Sequence, residues 1–469
     1  MDTGNTPLEK DYSVDDELRS RGRFFQWWHQ AGAYQQSVLI VAVLGWVFDS
    51  MNANIYSLVQ TPALLELLGS NASKGEIGFY GGVIFSVFII GWAVGGILFG
   101  ILADYFGRAR VMLITILIYA IFTGLSALSH TWWELGIYRF IAGLGIGGEW
   151  AAGATLVAEV WPDRYRSRAA SVMQSAWAMG FFLAAFVNLC LGTQGWRMVF
   201  LMGTSPALLA LFIRARVNEP ECWQDIQQRR SAHAPAEAVK NPRLFRFTFL
   251  QLFDSWTWRD TLVGTILATV AAFGLWGATN WTPSIVREVV DAEMLSDVVI
   301  NDLVSFAVMS LNAGAFVGYL AFAPIADRFG RKPAFFFFLL GSAVMLPVTF
   351  FYTRSYTAMV LLLPLLGFFN NGLFSGFPIY LPELFPTHIR TTGAGFCFNA
   401  GRVISALGPF ITGMLVAGMG SFSKSASLIS CIYVLGMVTL IFARETKGQA
   451  IAKGDYDMLP LVQAEDYHR

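Results

Sequence analysis

Ala326-Asp327-Arg328-Phe329-Gly330-Arg331-Lys332 decides the fold, because a near copy stands in the first half of the chain: Ala103-Asp104-Tyr105-Phe106-Gly107-Arg108. Each copy is followed by a second charged phrase. In the first half it is Glu159-Val160-Trp161-Pro162 with Arg166-Ser167-Arg168, and in the second Glu383-Leu384-Phe385-Pro386 with Arg390-Thr391-Thr392. From Asp104 to Glu159 is 55 residues and from Asp327 to Glu383 is 56, so the two halves repeat one plan. Long apolar runs bound every one of these loops. A repeat of charged loops between apolar runs is the pattern of a duplicated membrane bundle.

Composition agrees. Apolar residues make up 55% of the 469 and charged residues only 14%, too few to cover a soluble surface of this size. The 40 Phe and 15 Trp suit lipid contact and interfacial belts. Cys190, Cys397 and Cys431 lie in apolar segments and Cys222 in a polar one, with neither metal-ligand spacing nor a disulfide framework. The polar start, through about Arg23, lacks the form of a cleaved signal peptide.

Apolar runs of about 20 residues, the length that crosses hydrocarbon, fall at 37–60, 79–103, 110–129, 132–160, 169–193, 197–216, 262–284, 302–326, 333–352, 356–382, 391–417 and 424–443. Each is expected to be a helix, since lipid offers the backbone no hydrogen-bond partner. The predicted fold is an all-α membrane protein with twelve transmembrane helices in two pseudo-symmetric six-helix bundles, 37–216 and 262–443. A segment at 1–36 precedes them, a polar loop at 217–261 joins them, and a tail at 444–469 follows. Placing both termini in the cytoplasm puts 25 of the 32 Lys and Arg there, with Lys74, Arg197, Arg287, Arg354 and Lys424 outside and Arg139 and Arg402 within spans. Trp256 and Trp258 read as interfacial anchors.

The repeated Asp-x-x-Gly-Arg loops, the run Arg139-Phe140-Ile141-Ala142-Gly143-Leu144-Gly145-Ile146-Gly147 and the Glu-x-x-Pro-x-x-x-Arg phrases resemble the major facilitator superfamily. The resemblance covers about 37–443. Within it, Gly148-Glu149-Trp150 and the Glu159 phrase look like the metabolite:proton symporters, in the sialate and monocarboxylate branch. Asp49-Ser50-Met51-Asn52 is similar to the Asp-x-x-Asp of the aromatic-acid symporters, with Asn in the second place. The resemblance implies a gate closed by charged clusters: Asp104, Gly107, Arg108, Glu159 and Arg166 in one half, Asp327, Arg328, Gly330, Arg331, Glu383 and Arg390 in the other. It also implies that Asp104 meets the start of span eleven and Asp327 the start of span five. Tyr105 stands where a basic residue is usual, which implies that the first cluster is the looser one.

Polar groups deep in spans are costly and point to function. Asp49, Glu149, Arg139 and Arg402 are the charged ones. Asp49, Asn52, Tyr56 and Gln60 form one helical stripe, and span five carries another with Gln174, Phe181 and Asn188. Trp276 and Asn280, Asn312 with Phe316 and Tyr319, Asn370 and Asn371 with Phe374, and Asn399 beside Arg402 add to a central polar cavity with aromatic walls. For any one of these, packing or an interhelical hydrogen bond is the simpler reading; jointly they describe a site for a small polar solute.

The expected function is proton-coupled uptake of a small organic acid by alternating access. Asp49, Arg139 and Glu149 are the proton-coupling candidates: Asp49 would pair with Arg139 in one conformation, and Glu149 would be a second proton site or the salt-bridge partner of an Arg. Arg402 would hold a carboxylate with its planar fork, the alternative being a fixed partner for Asp49 or Glu149. The alternatives are a sugar or polyol symporter, a proton-driven exporter and a non-transporting sensor. No nucleotide-binding loop appears, and Gly143, Gly145 and Gly147 read as helix-packing glycines. No enzyme chemistry, cofactor, metal or nucleic acid is expected; the expected partners are the substrate, protons and the bilayer of a bacterial inner membrane, with the protein a monomer.

Overall fold

The computed structural model describes residues 26–69, 72, 74–232, 242–290, 297–352, 355–405 and 407–449. Every regular element among them is a helix. The first half contains α1 (Ala33–Leu68), α2 (Lys74–Phe106), α3 (Arg108–Ser126), α4 (Trp132–Val160), α5 (Asp163–Leu191), α6 (Trp196–Met202) and α7 (Ala207–Arg216). In the joining segment lies α8 (Glu221–Ala232). The second half contains α9 (Trp258–Gly277), α10 (Thr282–Val290), α11 (Asp297–Phe329), α12 (Arg331–Pro347), α13 (Tyr356–Gly372), α14 (Phe377–Leu384), α15 (Arg390–Ser405), α16 (Leu407–Met419), α17 (Phe422–Ile429) and α18 (Ile432–Phe442).

Ten helical stretches among the described residues are long and apolar enough to cross a membrane. The other two runs, 197–216 and 391–417, are each described as a pair of shorter helices, α6 with α7 and α15 with α16. Pro206 precedes α7 and has no amide hydrogen to continue the ladder of α6. Apolar side chains such as Ile90, Leu98, Phe182, Leu361 and Ile441 stand exposed, as a lipid-facing surface requires.

Within each half, glycine sets the closest helix approach. A Cβ on Gly95 would lie 2.0 Å from the Leu144 carbonyl oxygen, and one on Gly147 1.9 Å from that of Trp92, so α2 and α4 touch backbone to backbone. At the matching offset in the second half, a Cβ on Gly318 would lie 2.2 Å from the Phe368 oxygen, joining α11 to α13. The halves meet along α2 with α15 and α5 with α11. The central cavity lies between them.

Candidate transport site

The cavity at the junction of the halves is small, ≈ 40 Å³, about the room a few waters need. Seven aromatic rings line it: Trp46, Trp92, Trp177, Trp276, Tyr319, Phe374 and Phe398. Its polar contributions come from Gln174, Arg402 and the Tyr319 hydroxyl. The Gln174 Oε1 accepts a 3.3 Å hydrogen bond from the Trp150 indole, which fixes the amide on the wall. Arg402 donates from Nη1 to Asn399 Oδ1 at 3.0 Å, and its guanidinium stacks 4.0 Å from the Trp92 ring and 4.8 Å from Phe398. Asn399 in turn anchors to the Gly395 carbonyl at 2.9 Å. The helical spacing of 395, 399 and 402 puts all three on one face of α15.

Beside this wall sits a pair of acids. Asp49 of α1 and Glu149 of α4 are wholly buried, and among the described residues no amide, hydroxyl or guanidinium donates to any of their four carboxyl oxygens. The Glu149 carboxyl lies against α1 one turn from Asp49, so the two acids are neighbours in one buried region. Two buried carboxyls this near to each other pay a high price to be charged together. Gly45, one turn before Asp49, makes the room: a Cβ there would lie 2.2 Å from Glu149 Oε1. Arg139 is not the partner of Asp49 in this conformation. It is buried on α4, donates to the Asn52 carbonyl at 3.0 Å and lies 4.3 Å from the Phe88 ring.

At the end of the molecule that carries the charged loops, the two halves are tied together. Asp104 is buried and accepts from the backbone amides of Thr391 (3.3 Å) and Thr392 (2.8 Å) and from the Thr392 hydroxyl (2.6 Å). An anion thus caps the positive end of α15. Arg108 bonds Glu159 through both Nε and Nη2 and reaches the Thr387 carbonyl at 2.7 Å. Arg390 crosses from the other half to Glu159 at 2.8 Å. The second cluster joins Arg331 to Glu383 at 2.8 Å and to the Ser167 hydroxyl at 2.9 Å, with Arg166 4.0 Å from Glu383 and paired with Asp163.

The clusters differ in a way the loops do not suggest. Asp327 has a side chain 31% exposed and contacts Arg331 at 3.3 Å, with no bond to the start of α5 among the described residues, and Arg328 is exposed. So the first cluster is the tighter one, despite Tyr105. The reason is the joining segment: Trp223 and Arg230 both bond the Asp104 carbonyl, at 3.2 and 3.0 Å, and Arg230 stacks over Tyr105. Behind the first cluster, burial and then the Glu159 charge push the Cys222 thiol up to about 12.

A family model described as "Sugar (and other) transporter" matches residues 37–457. The chain belongs to this transporter family. It is a branch of the major facilitator superfamily, whose members move solutes and are not enzymes. The cis,cis-muconate transport protein of Acinetobacter baylyi is 30% identical over 80% of this chain and 87% of its own length. The sialic acid transporter NanX of Escherichia coli is 28% identical over 87% of this chain and 95% of its own. Among solved structures, the proton:xylose symporter XylE superposes with a TM-score of 0.71 at 21% identity, covering 89% of this chain and 98% of that one, which shows the shared fold.

Several candidate residues of this family member fall outside the cavity. Tyr56 ties α1 to α2 through the Gly81 carbonyl at 3.1 Å. Asn52 and Asn312 bond back to their own helices, at Phe48 and Val308. Asn370 joins Thr279 to Tyr433 in a buried knot, and Asn371 is buried beside it. The side chain of Asn280 lies outside the described residues. Trp256 packs on His388 and Arg243 rather than standing free as an anchor.

Sequence reasoning also missed contributors. Trp46 and Trp177 lie three residues from Asp49 and Gln174, so extending each stripe by one turn finds them. Glu219 accepts from the amides of Ala109 and Arg110 at 3.2 and 3.0 Å, and Glu445 from those of Arg331 and Lys332 at 2.8 and 3.0 Å. These acids cap the helices that open after Gly107 and Gly330, both at φ 109°, where only glycine is unstrained. They are a third element of the repeat, placed after spans six and twelve.

Proposed function

We propose that this protein is a proton-coupled symporter that brings a small organic acid into the cell by alternating access. The observation that carries the reading is Arg402, presented on an aromatic cavity wall next to the buried Asp49–Glu149 pair. A guanidinium recognises a carboxylate by a two-pronged hydrogen bond. A shared acid pair at mid-membrane is a place to carry a proton. An anion entering with one proton crosses without working against an inside-negative potential, which otherwise costs about 2.3 kcal/mol per charge per 100 mV. The names of the muconate and sialic acid relatives support an acid as substrate.

The charged loops serve as the inner gate, shut in this conformation by Arg390–Glu159, Arg108–Thr387 and Arg331–Ser167. Arg139 holds α1 to α4 by way of Asn52 here and becomes available to Asp49 only if α1 shifts. Both termini face the cytoplasm of a bacterial inner membrane, and the working unit is a monomer. The test is uptake into proteoliposomes of labelled muconate, sialic acid, benzoate, lactate and xylose, with and without an inward proton gradient. Gradient-driven accumulation of an acid, abolished by Asp49→Asn with exchange preserved, is the expected outcome. Accumulation of xylose alone would overturn the acid reading and favour a sugar symporter.

A further inference from the structure

Residues 243–259, at the end of the joining segment, are built inside out. Thr248 and Gln251 are wholly buried, while Phe245, Phe247, Leu250, Phe253 and Trp258 are between 39% and 56% exposed. The buried amide organises the fold of the segment: Gln251 Nε2 donates to the Arg243 and Arg246 carbonyls, each at 2.9 Å. From α8, Arg230 Nε donates to the Leu244 carbonyl at 3.1 Å. The rings left outside are contiguous. Phe247 lies 6.4 Å from Phe249 and Phe249 5.6 Å from Phe253, and both Phe249 and Phe253 meet Phe396 of α15 edge-on, at 5.5 and 5.6 Å. A loop facing only water gains nothing by turning its amide in and its phenylalanines out. A contiguous apolar patch marks a surface that something covers.

Depth says what covers it. Phe396 follows Arg390, the first residue of α15, by six positions, so it stands about 9 Å along the helix from the gate end. Trp258 opens α9, which begins the next stretch long and apolar enough to cross a membrane. The patch is therefore continuous with the lipid-facing flank of the spans, at the level where headgroups meet hydrocarbon. Its charge is positive. Arg246 and Arg259 are exposed, and Arg243 lies over the Trp256 ring at 5.0 Å. Asp254 is engaged by Arg246 at 2.8 Å and Asp260 by Arg444 at 3.4 Å, and among the described residues no carboxylate forms an ion pair with Arg243 or Arg259.

We propose that this patch is a binding site for an anionic phospholipid of the adjacent leaflet, its rings entering the edge of the acyl region and Arg243 and Arg259 meeting the phosphate. A two-fold dimer through the same patch would set arginine against arginine. The site is joined to the inner gate. The Thr248 amide donates to the Tyr105 hydroxyl of the first half at 3.2 Å, the Thr248 hydroxyl is bonded to that of Thr392 in the second at 3.1 Å, and Gln251 Oε1 lies 3.0 Å from His388 Nε2. A lipid that seats the segment thus holds both halves at the end that Asp104 latches, and favours the closed gate whatever the solute.

The test is native mass spectrometry of the purified full-length protein with phosphatidylglycerol or phosphatidylcholine of matched chains. Hydrogen exchange in nanodiscs of phosphatidylcholine, with or without one third phosphatidylglycerol, reads the gate. The wild type should prefer phosphatidylglycerol by about 25-fold, at about fivefold per arginine. Arg243→Gln combined with Arg259→Gln should remove the preference, and Arg164→Gln, an exposed arginine elsewhere at the same end, should keep it. Phe247→Ser with Phe253→Ser should weaken both lipids alike. Phosphatidylglycerol should slow exchange in 243–256 and at Thr391 and Thr392 about fivefold in the wild type and leave the double arginine variant unchanged. Equal retention of the two lipids by the wild type, or a preference untouched by the arginine substitutions, would overturn the site. A dimer protected at 243–256 in either lipid would overturn it in favour of a second copy. Slowing confined to 243–256, with Thr391 and Thr392 unaffected, would overturn the link to the gate. None of these outcomes depends on which solute is carried, so the symporter reading stands or falls separately.

Discussion

Replacing Asp104 by Asn should loosen the inner gate far more than replacing Asp327, its counterpart in the repeat. Asp104 accepts three hydrogen bonds from Thr391 and Thr392 and pairs with Arg108 at 3.1 Å, all out of water. Asn keeps one acceptor oxygen and turns an NH2 group against donors. Bonds to a charged acceptor are worth about 1.5–3 kcal/mol each, but Arg108 retains Glu159, so a net loss of about 2–3 kcal/mol is reasonable. Every one of the bonds to α15 crosses between halves, so the loss falls on the closed gate. The amides of Thr391 and Thr392 should then exchange with deuterium about 30–150 times faster. Asp327→Asn removes one partly exposed i,i+4 contact, worth less than about 1 kcal/mol, and should change exchange at α5 by no more than about fivefold. Hydrogen exchange with mass spectrometry in nanodiscs reads both. Equal effects from the two substitutions, or unaltered exchange in Asp104→Asn, would refute the claim that this carboxylate is the latch.

Other expectations follow from single contacts. Gly45→Ala drives a methyl into Glu149 Oε1, so gradient-driven uptake should be lost while size-exclusion behaviour and helix content stay normal. Glu219→Gln weakens the cap on α3 and should lower thermal stability by about 1 kcal/mol, seen as a small fall in the unfolding midpoint. Cys222, held protonated at neutral pH by burial and Glu159, should react with maleimide far more slowly than a free thiol and faster as pH rises towards 12. Peptide mapping should show Glu159→Gln accelerating that reaction, both by removing the opposing charge and by opening the gate.

The bundle was readable because its signals are local or repeated. Apolar length gives spans, and Asp104 and Asp327 sit at equal offsets because each half folds alike. What decides the site is not local. Glu149 reads as either a proton site or a salt-bridge partner, and Gly45 reads as nothing, since a glycine adds no side chain to a polar stripe. Yet the absence of a Cβ at 45 is what lets the two carboxyls meet. The same blindness affects the gate. Tyr105 suggests a weak cluster when only the loop is considered, but Trp223 and Arg230, more than a hundred residues away, hold the Asp104 backbone from behind. Asn370 shows the converse error: its amide is in the right helix for a substrate ligand but is consumed by Tyr433 and Thr279. A polar residue in a span is a ligand only when no neighbouring helix has already taken its hydrogen bonds. By that measure Arg402, which lines the cavity and spends one guanidinium bond on Asn399 of its own helix, is a stronger candidate than Asn370, and a carboxylate is the group best shaped to meet it.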